Sequence, residues 1–362
     1  MDGQWQRCQT PRPRVRQALA IGAATLVEAI QQPVALLLLL TAVLTTLLAP
    51  VFQFHRFGED GRLARDGGLS CMLVFGLVLA AGVAGRAVGE EIARGTAAAA
   101  LGKPVSRVTF LLAKWAGVCG VVAMFWCGVL GATLLAERSA ARFVVLDHFT
   151  GHASDPLTLF LSLAALALAL AAAAWGHWRW RRRFGVAAFT GVVLSQFAVV
   201  LLSGFYNRFG QLYPVHGEAA CLCCGGEGHA HGAVSWLHYH PELNVRVVPA
   251  AALVLFALLV FAALATALAT RLQTGPVFSI CALVLLLGLA GDSFALNARW
   301  LSWRALVAGL MPDVQHFWMC DAIAHGGRIA WPYVAEAGAY ALTCCALFLT
   351  AGCLAFRERD LG

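Results

Sequence analysis

The chain has 362 residues, of which 60% are hydrophobic and 12% charged, and its mean hydropathy is +0.74. That balance excludes a soluble globular protein and indicates an all-α polytopic membrane protein, since a soluble core does not need so much apolar surface. The net charge of +7 would suit a nucleic-acid binder, but the basic residues flank apolar runs, where retention on the cytoplasmic side accounts for them, so nucleic acid is discounted.

Residues 1–32 open the chain with Arg7, Arg12, Arg14 and Arg16. From Val15 to Ile30, the residues Val15, Ala18, Leu19, Gly22, Leu26, Ala29 and Ile30 recur at spacings of three and four, while Arg16, Thr25 and Glu28 fall mostly elsewhere. This pattern predicts an N-terminal amphipathic helix lying in the membrane interface, with Ile21 as its exception. No apolar core followed by a small-residue cleavage site precedes Pro33, so the segment is expected to be retained.

Eight apolar runs are long enough to cross roughly 30 Å of hydrocarbon at about 1.5 Å per residue. They are predicted at 33–52, 70–89, 109–136, 157–177, 184–206, 247–270, 276–297 and 331–356, which makes 33–356 one transmembrane domain and 357–362 a tail. An even number puts both termini on one side. With that side cytoplasmic, sixteen of the 26 Lys and Arg residues are retained there, among them Arg179, Arg181, Arg182 and Arg183 in one short turn. The expected location is the cell inner membrane. Trp175, Trp178 and Trp180 beside the arginines, and Trp300, Trp303, Trp318 and Trp331 near the other face, suit aromatic belts.

The segment 89–108, between the second and third spans, holds Glu90, Glu91, Arg94, Lys103 and Arg107, with Lys114 beyond it. Each charge would cost roughly 2.5–3.5 kcal/mol at a bilayer centre, so the segment cannot span. Acids followed by alanines predict a helix from Glu90 to Ala100 outside the membrane, stopped by Gly102 and Pro104. In the flanking spans, Ala81, Gly85 and Gly89 recur at intervals of four with Gly82 alongside. Ala113, Gly117 and Gly120, then Cys127 and Gly131, repeat the idea. Such stripes suit close helix packing, and the abundance of glycine, 36 in all, supplies them equally well.

The order of an acidic pair, Arg94-Gly95-Thr96, Lys103-Pro104-Val105-Ser106-Arg107 and Lys114 resembles the segment after the second span in ABC-2 type transporter permeases. A weaker likeness covers most of the chain: the basic helix before the first span, the helix-like stretch before the last, and the terminal Phe356-Arg357-Glu358-Arg359-Asp360. The resemblance implies that Glu90, Glu91, Arg94, Gly95, Thr96, Lys103, Pro104, Ser106 and Arg107 form a coupling helix that docks on a separate ABC ATPase subunit. It also implies export by two permease subunits, as a homodimer or heterodimer, with two ATPase subunits that bind ATP and Mg. The family's usual core has six spans, so eight imply an extra hairpin around the fourth to sixth. The plain alternative is an ordinary cytoplasmic loop, basic for topological reasons.

No catalytic constellation emerges, so the chain is expected to be a transport subunit and not an enzyme. Gly95 and Gly102 enclose six residues, and Pro104 stands where a phosphate loop needs Ser or Thr, so this is not a Walker sequence. The longest loop, 207–246, has 40 residues, fewer than the roughly 50 at which domains begin. ATP is therefore expected to be hydrolysed by another chain.

That outer loop holds Cys221, Cys223, Cys224, His216, His229, His231, His238 and His240, with Glu218 and Glu227. Thiolate and imidazole favour Zn or Cu, and a metal site would draw on Cys221, Cys223, Cys224, His229, His231, His238 and His240. The spacing reproduces no standard finger, and a disulfide or an unstructured loop explains the same residues. A metal-handling membrane protein or metal-dependent membrane enzyme is the rival function. Cys71, Cys119, Cys281, Cys344 and Cys345 fall in spans as small packing residues. Asp292 and Glu336 lie near outer span ends and Arg86 near an inner one, where solvation and snorkelling suffice; an ion-coupled transporter would need deeper acids. Residues 298–330 are too charged to cross. Their Leu301, Leu306, Leu310, Val314, Phe317, Trp318 and Ile323 predict outer interfacial helices, the second opened by Pro312 and ended by Gly326-Gly327. By the resemblance these would lie over the outer mouth of the pathway.

Overall fold

Backbone groups in hydrocarbon must satisfy one another, so each apolar run is expected to close its hydrogen bonds within one helix. A computed structural model describes residues 14–52, 61–95, 106–146, 149–181, 183–210, 243–289, 312–319, 322 and 327–357. Helix α1 covers Arg14–Gln31. Pro33 then opens α2, Pro33–Leu48, at a position where its missing N–H is not needed, and a 3-10 turn Ala49–Phe52 extends it. Helix α3, Arg62–Ala84, runs on through a π-turn, Gly85–Glu90, to a last turn Glu91–Ala93. After α4, Arg107–Ser139, come strands β1, Arg142–Leu146, and β2, Phe149–Ala153. The remaining helices are α5, Pro156–Trp180; α6, Phe184–Leu202, with a 3-10 turn Ser203–Phe205; α7, Val247–Leu268; α8, Thr274–Leu289; and α9, Trp331–Arg357.

Seven of these stretches are long and apolar enough to cross a membrane: 33–52, 62–93, 107–139, 156–180, 184–205, 247–268 and 331–357. The chain is a multi-pass membrane protein of mainly helical build. One expectation changes, at the link from α4 to α5. The seventh predicted span, 276–297, is represented by α8, whose 16 residues reach about 24 Å, and 290–297 lie outside the described residues. The link from α4 to α5 folds into a hairpin, with β1 and β2 antiparallel in register from Arg142↔Ala153 to Leu146↔Phe149. Its Arg-Phe-Val-Val-Leu run favours a strand but is too short to register as a span.

Helices α4 and α7 form the centre: 72% of the apolar window of α7 is buried within the chain, against 22% for α5. α4 packs on α1, α2, α3, α5, α6, α7 and α9. The outer helices expose Leu168, Leu194 and Leu342, which suits contact with lipid.

Helix α1 lies against α4 and the start of α6. A Cβ on Gly117 would stand 2.7 Å from the Gly22 carbonyl oxygen and 2.7 Å from Thr25 Cβ, so the two backbones meet where only glycine fits. Of the predicted stripe, Gly22, Ala29 and Ile30 are buried within the chain. Leu19, assigned to that stripe, is exposed, and Thr25 is buried in its place because its hydroxyl donates to the Ile21 carbonyl at 2.9 Å.

Gln31, just before α2, lies against Gly185 at the start of α6, and Arg107 at the start of α4 reaches the end of α9. The first crossing thus begins, and the last one finishes, at one end of the bundle, here the terminal end. The β-hairpin marks the other.

Candidate functional site: polar clusters at the two ends of α4

At the terminal end, α3 outruns its apolar sequence. The π-turn carries it to Ala93, and Gly95, at φ 72°, ends it by donating its N–H to the Ile92 carbonyl at 3.2 Å. Glycine adopts this left-handed backbone without steric cost. The expected separate helix starting at Glu90 is therefore corrected: Glu90 and Glu91 belong to the last turns of α3. Residues 96–105, including Thr96, Lys103 and Pro104, lie outside the described residues.

The other residues of the predicted coupling element divide by burial. Lys114 is buried, donates to Glu91 Oε1 at 2.5 Å and stands 5.6 Å from the centre of the Phe110 ring. An ammonium removed from water needs such a carboxylate, and the ring face adds a weaker attraction. Arg94, one turn on from Glu90, donates to its Oε2 at 2.7 Å on the surface. Ser106 caps α4, its extended backbone placing Oγ to accept the Thr109 N–H at 3.0 Å. Arg107 donates to the carbonyl oxygens of Phe356 at 3.0 Å and Arg357 at 2.9 Å, with its guanidinium 5.7 Å from the Phe356 ring centre. Those carbonyls belong to the last turn of α9, where helices in general leave carbonyls to be satisfied by other groups.

The small-residue stripe on α3 faces the α7–α8 turn. A Cβ on Gly85 would meet Thr274 side-chain atoms at 2.8 Å, and one on Gly89 would stand 3.3 Å from the Leu272 carbonyl oxygen. Ala81 is fully buried, whereas Gly82 has nothing within 4 Å of its virtual Cβ.

The hairpin end holds a cluster that the sequence pattern did not disclose. Arg138 is fully buried at the end of α4. Its Nε donates to Asp155 Oδ2 at 3.0 Å, its Nη1 to the Ser203 carbonyl at 2.5 Å and its Nη2 to the Tyr206 carbonyl at 2.7 Å. Asp155 caps α5 by accepting the Thr158 N–H at 2.9 Å, and the Thr158 hydroxyl is 2.8 Å from that of Tyr206. Burial is the main cause that pushes the Tyr206 hydroxyl up from its usual value. Beside this group, Asn244 donates to Glu137 at 2.7 Å, Arg65 stands 4.0 Å from the same carboxylate, and Arg208 donates to the Ala140 carbonyl at 3.3 Å. The network joins α3, α4, α5, the end of α6 and the approach to α7. Asp155-Pro156 is a recognisable helix start, and Glu137-Arg138 closes an apolar run; those signals mark the residues without pairing them.

The candidate metal ligands Cys221, Cys223, Cys224, His229, His231, His238 and His240 lie outside the described residues. Among the described residues, no group of three or more His, Cys, Asp or Glu side chains could hold a metal ion. Cys281 and Cys345 are buried free thiols in α8 and α9, and Cys71, Cys119 and Cys344 are partly buried free thiols. Asp292 is outside the described residues, and Glu336 is exposed on the first turns of α9. Where Pro312 was expected to open an interfacial helix, residues 312–319 hold only a 3-10 turn, Val314–Phe317, capped by Asp313 through the Gln315 N–H at 3.0 Å.

No family model, no curated protein and no solved structure matches this chain. The likeness to ABC-2 permeases rests on the residues that carry it.

Proposed function

We propose that the chain is the transmembrane permease subunit of an ATP-binding cassette exporter, moving a substrate across the cell inner membrane with ATP and Mg bound and hydrolysed by a separate subunit. It pairs with a second permease subunit, and its terminal end faces the cytoplasm, where the arginines of 179–183 are retained. One observation carries the proposal. The ends of the α3–α4 connection are anchored into three helices: Glu91 of α3 to Lys114 of α4, and Arg107 of α4 to the last carbonyls of α9. A partner pressing on that connection bears on α3, α4 and α9 together. Glu90 and Arg94 stand exposed beside it as a charged contact surface.

The test is copurification of the chain with an ATPase subunit, followed by hydrolysis measurements in reconstituted complexes. Glu90→Lys, which reverses a surface charge, is expected to abolish transport-stimulated hydrolysis while the protein inserts normally. Stimulation equal to that of the parent would count against docking at this place.

A further inference from the structure

The turn between α5 and α6 is a second exposed charged surface, and the coupling proposed above does not draw on it. Helix α5 ends at Trp180, and Arg181 follows with φ 52°, its N–H donating to the Gly176 carbonyl. It is the one non-glycine residue with positive φ among the described residues. Glycine is the usual occupant of this conformation, so an arginine is held here against local preference, as happens where a side chain has work to do. The reversal is short, because α6 already begins at Phe184.

Arg179, Arg181 and Arg183 are thereby gathered at one tip, all exposed. Among the described residues, none of the three has an ion pair or side-chain hydrogen bond, in contrast to Arg107 and Arg138. Helix α1 ends beside the tip, Gln31 against Gly185, and its one acid, Glu28, is exposed. Among the described residues, no carboxylate pairs with the charge of the tip.

What lies below the tip identifies the ligand. Trp175, Trp178 and Trp180 are all exposed, Trp178 to 74%, and the rings of Trp175 and Trp178 meet edge to face at 5.3 Å. Further along α5, Leu168 and Phe160 are exposed as well. Guanidinium, indole and aliphatic surface thus follow one another along the helix, with about 18 Å from the tip to Leu168. A phospholipid has the same order of phosphate, interfacial glycerol and acyl chain. Guanidinium groups bind phosphate oxygens in pairs, and indoles settle at headgroup depth. A zwitterionic lipid brings its own ammonium against the phosphate and gains less from the arginines.

We propose that the α5–α6 turn is a binding site for an anionic phospholipid, with its phosphate on Arg179, Arg181 and Arg183 and its acyl chains along α5 past Trp178. The site depends on the chain being embedded in a membrane and is independent of the exporter reading.

The full-length protein is extracted from vesicles of equal phosphatidylglycerol and phosphatidylcholine, and its retained lipids are counted by native mass spectrometry. The parent is expected to retain phosphatidylglycerol about tenfold over phosphatidylcholine, the scale on which clustered basic residues select anionic lipid. The combination Arg179→Gln, Arg181→Gly and Arg183→Gln keeps the left-handed turn and, with Arg182 remaining, should cut the preference severalfold without moving the thermal midpoint. A parental preference in that variant overturns the proposal. Should the triple variant fail to insert, Arg181→Gly and Trp178→Ala decide separately, since both keep arginines for orientation. A severalfold loss in each supports the site, and parental preference in both overturns it. Soluble glycerophosphoglycerol at millimolar concentration should displace none of the retained lipid; full displacement would show a small-anion site and overturn the lipid assignment.

Discussion

Arg138 and Arg94 each donate to a carboxylate, at 3.0 Å and 2.7 Å, and the shorter contact is the weaker one. The side chains of Arg138 and Asp155 are 0% exposed; those of Arg94 and Glu90 are 73% and 39% exposed. Water screens the second pair and supplies either partner with substitutes, whereas neither member of the first pair has anywhere to go if the other is lost. The two ends of the bundle differ in the same way. At the hairpin end, the charges of Arg138, Asp155 and Glu137 are internal and join neighbouring elements. At the terminal end, Glu91 and Lys114 form an inner anchor, with Glu90 and Arg94 outside it for something else to touch.

The hardest test of this contrast is Arg138→Met, which strands Asp155 without its cation. It should cost about 3–5 kcal/mol, read as a large drop in thermal midpoint or loss of folded yield. Adding Asp155→Leu should restore most of that, short of about 1 kcal/mol for the lost cap on α5. Parental stability in the single variant would mean that the hairpin end is not closed as described.

Gly117→Leu comes next. It pushes a side chain into Gly22 and Thr25, and should cost about 1–3 kcal/mol through overpacking while making α1 accessible to protease. Gly82→Ala, with nothing within 4 Å, should be neutral or stabilising by up to about 1 kcal/mol. Equal behaviour of the two would remove the distinction between a packing glycine and an incidental one.

Glu90→Lys should cost less than about 1 kcal/mol, as exposed pairs do, while suppressing stimulated ATP hydrolysis. Glu91→Lys confounds the two readouts because it sets a second cation against buried Lys114. A loss of stability with Glu90→Lys as large as with Glu91→Lys would erase the division into anchor and contact surface.

The smallest effect is a labelling pattern. In a background with the native cysteines replaced, Arg182→Cys should react only from the cytoplasmic side and Glu227→Cys only from outside, with stability changed by less than about 0.5 kcal/mol. The reverse pattern would exchange the sides assigned to the two ends.

Hydropathy located the third span at 109–136, and α4 occupies Arg107–Ser139; the first, fourth, fifth and last spans agree as closely. Such boundaries are legible because transfer from water to hydrocarbon is a property of a segment, summed over its own residues. Partners are different, because pairing depends on where the chain returns. Arg138 meets Asp155 only after the hairpin has brought the chain back, and Ser203 and Tyr206 only after two more helices. Gly117 was legible as small, but its neighbour is α1 and not another span. Of the residues expected to couple, the acidic pair was visible as charge; that Glu91 meets Lys114 while Glu90 meets Arg94 depends on the rotation of α3.

That rotation has a source. A π-turn contains one residue more than the α-helix it interrupts, and the surplus residue shifts everything beyond it by about 100° around the axis. Were the stretch Gly85–Glu90 plain α-helix, Glu90 would stand at the azimuth that Glu91 now occupies, facing Lys114. Two consecutive glutamates therefore offer the buried lysine a counterion in either frame. The frame sets which flank of α3 faces outward, the two differing by about 100°, while in both the charge at its base is neutralised.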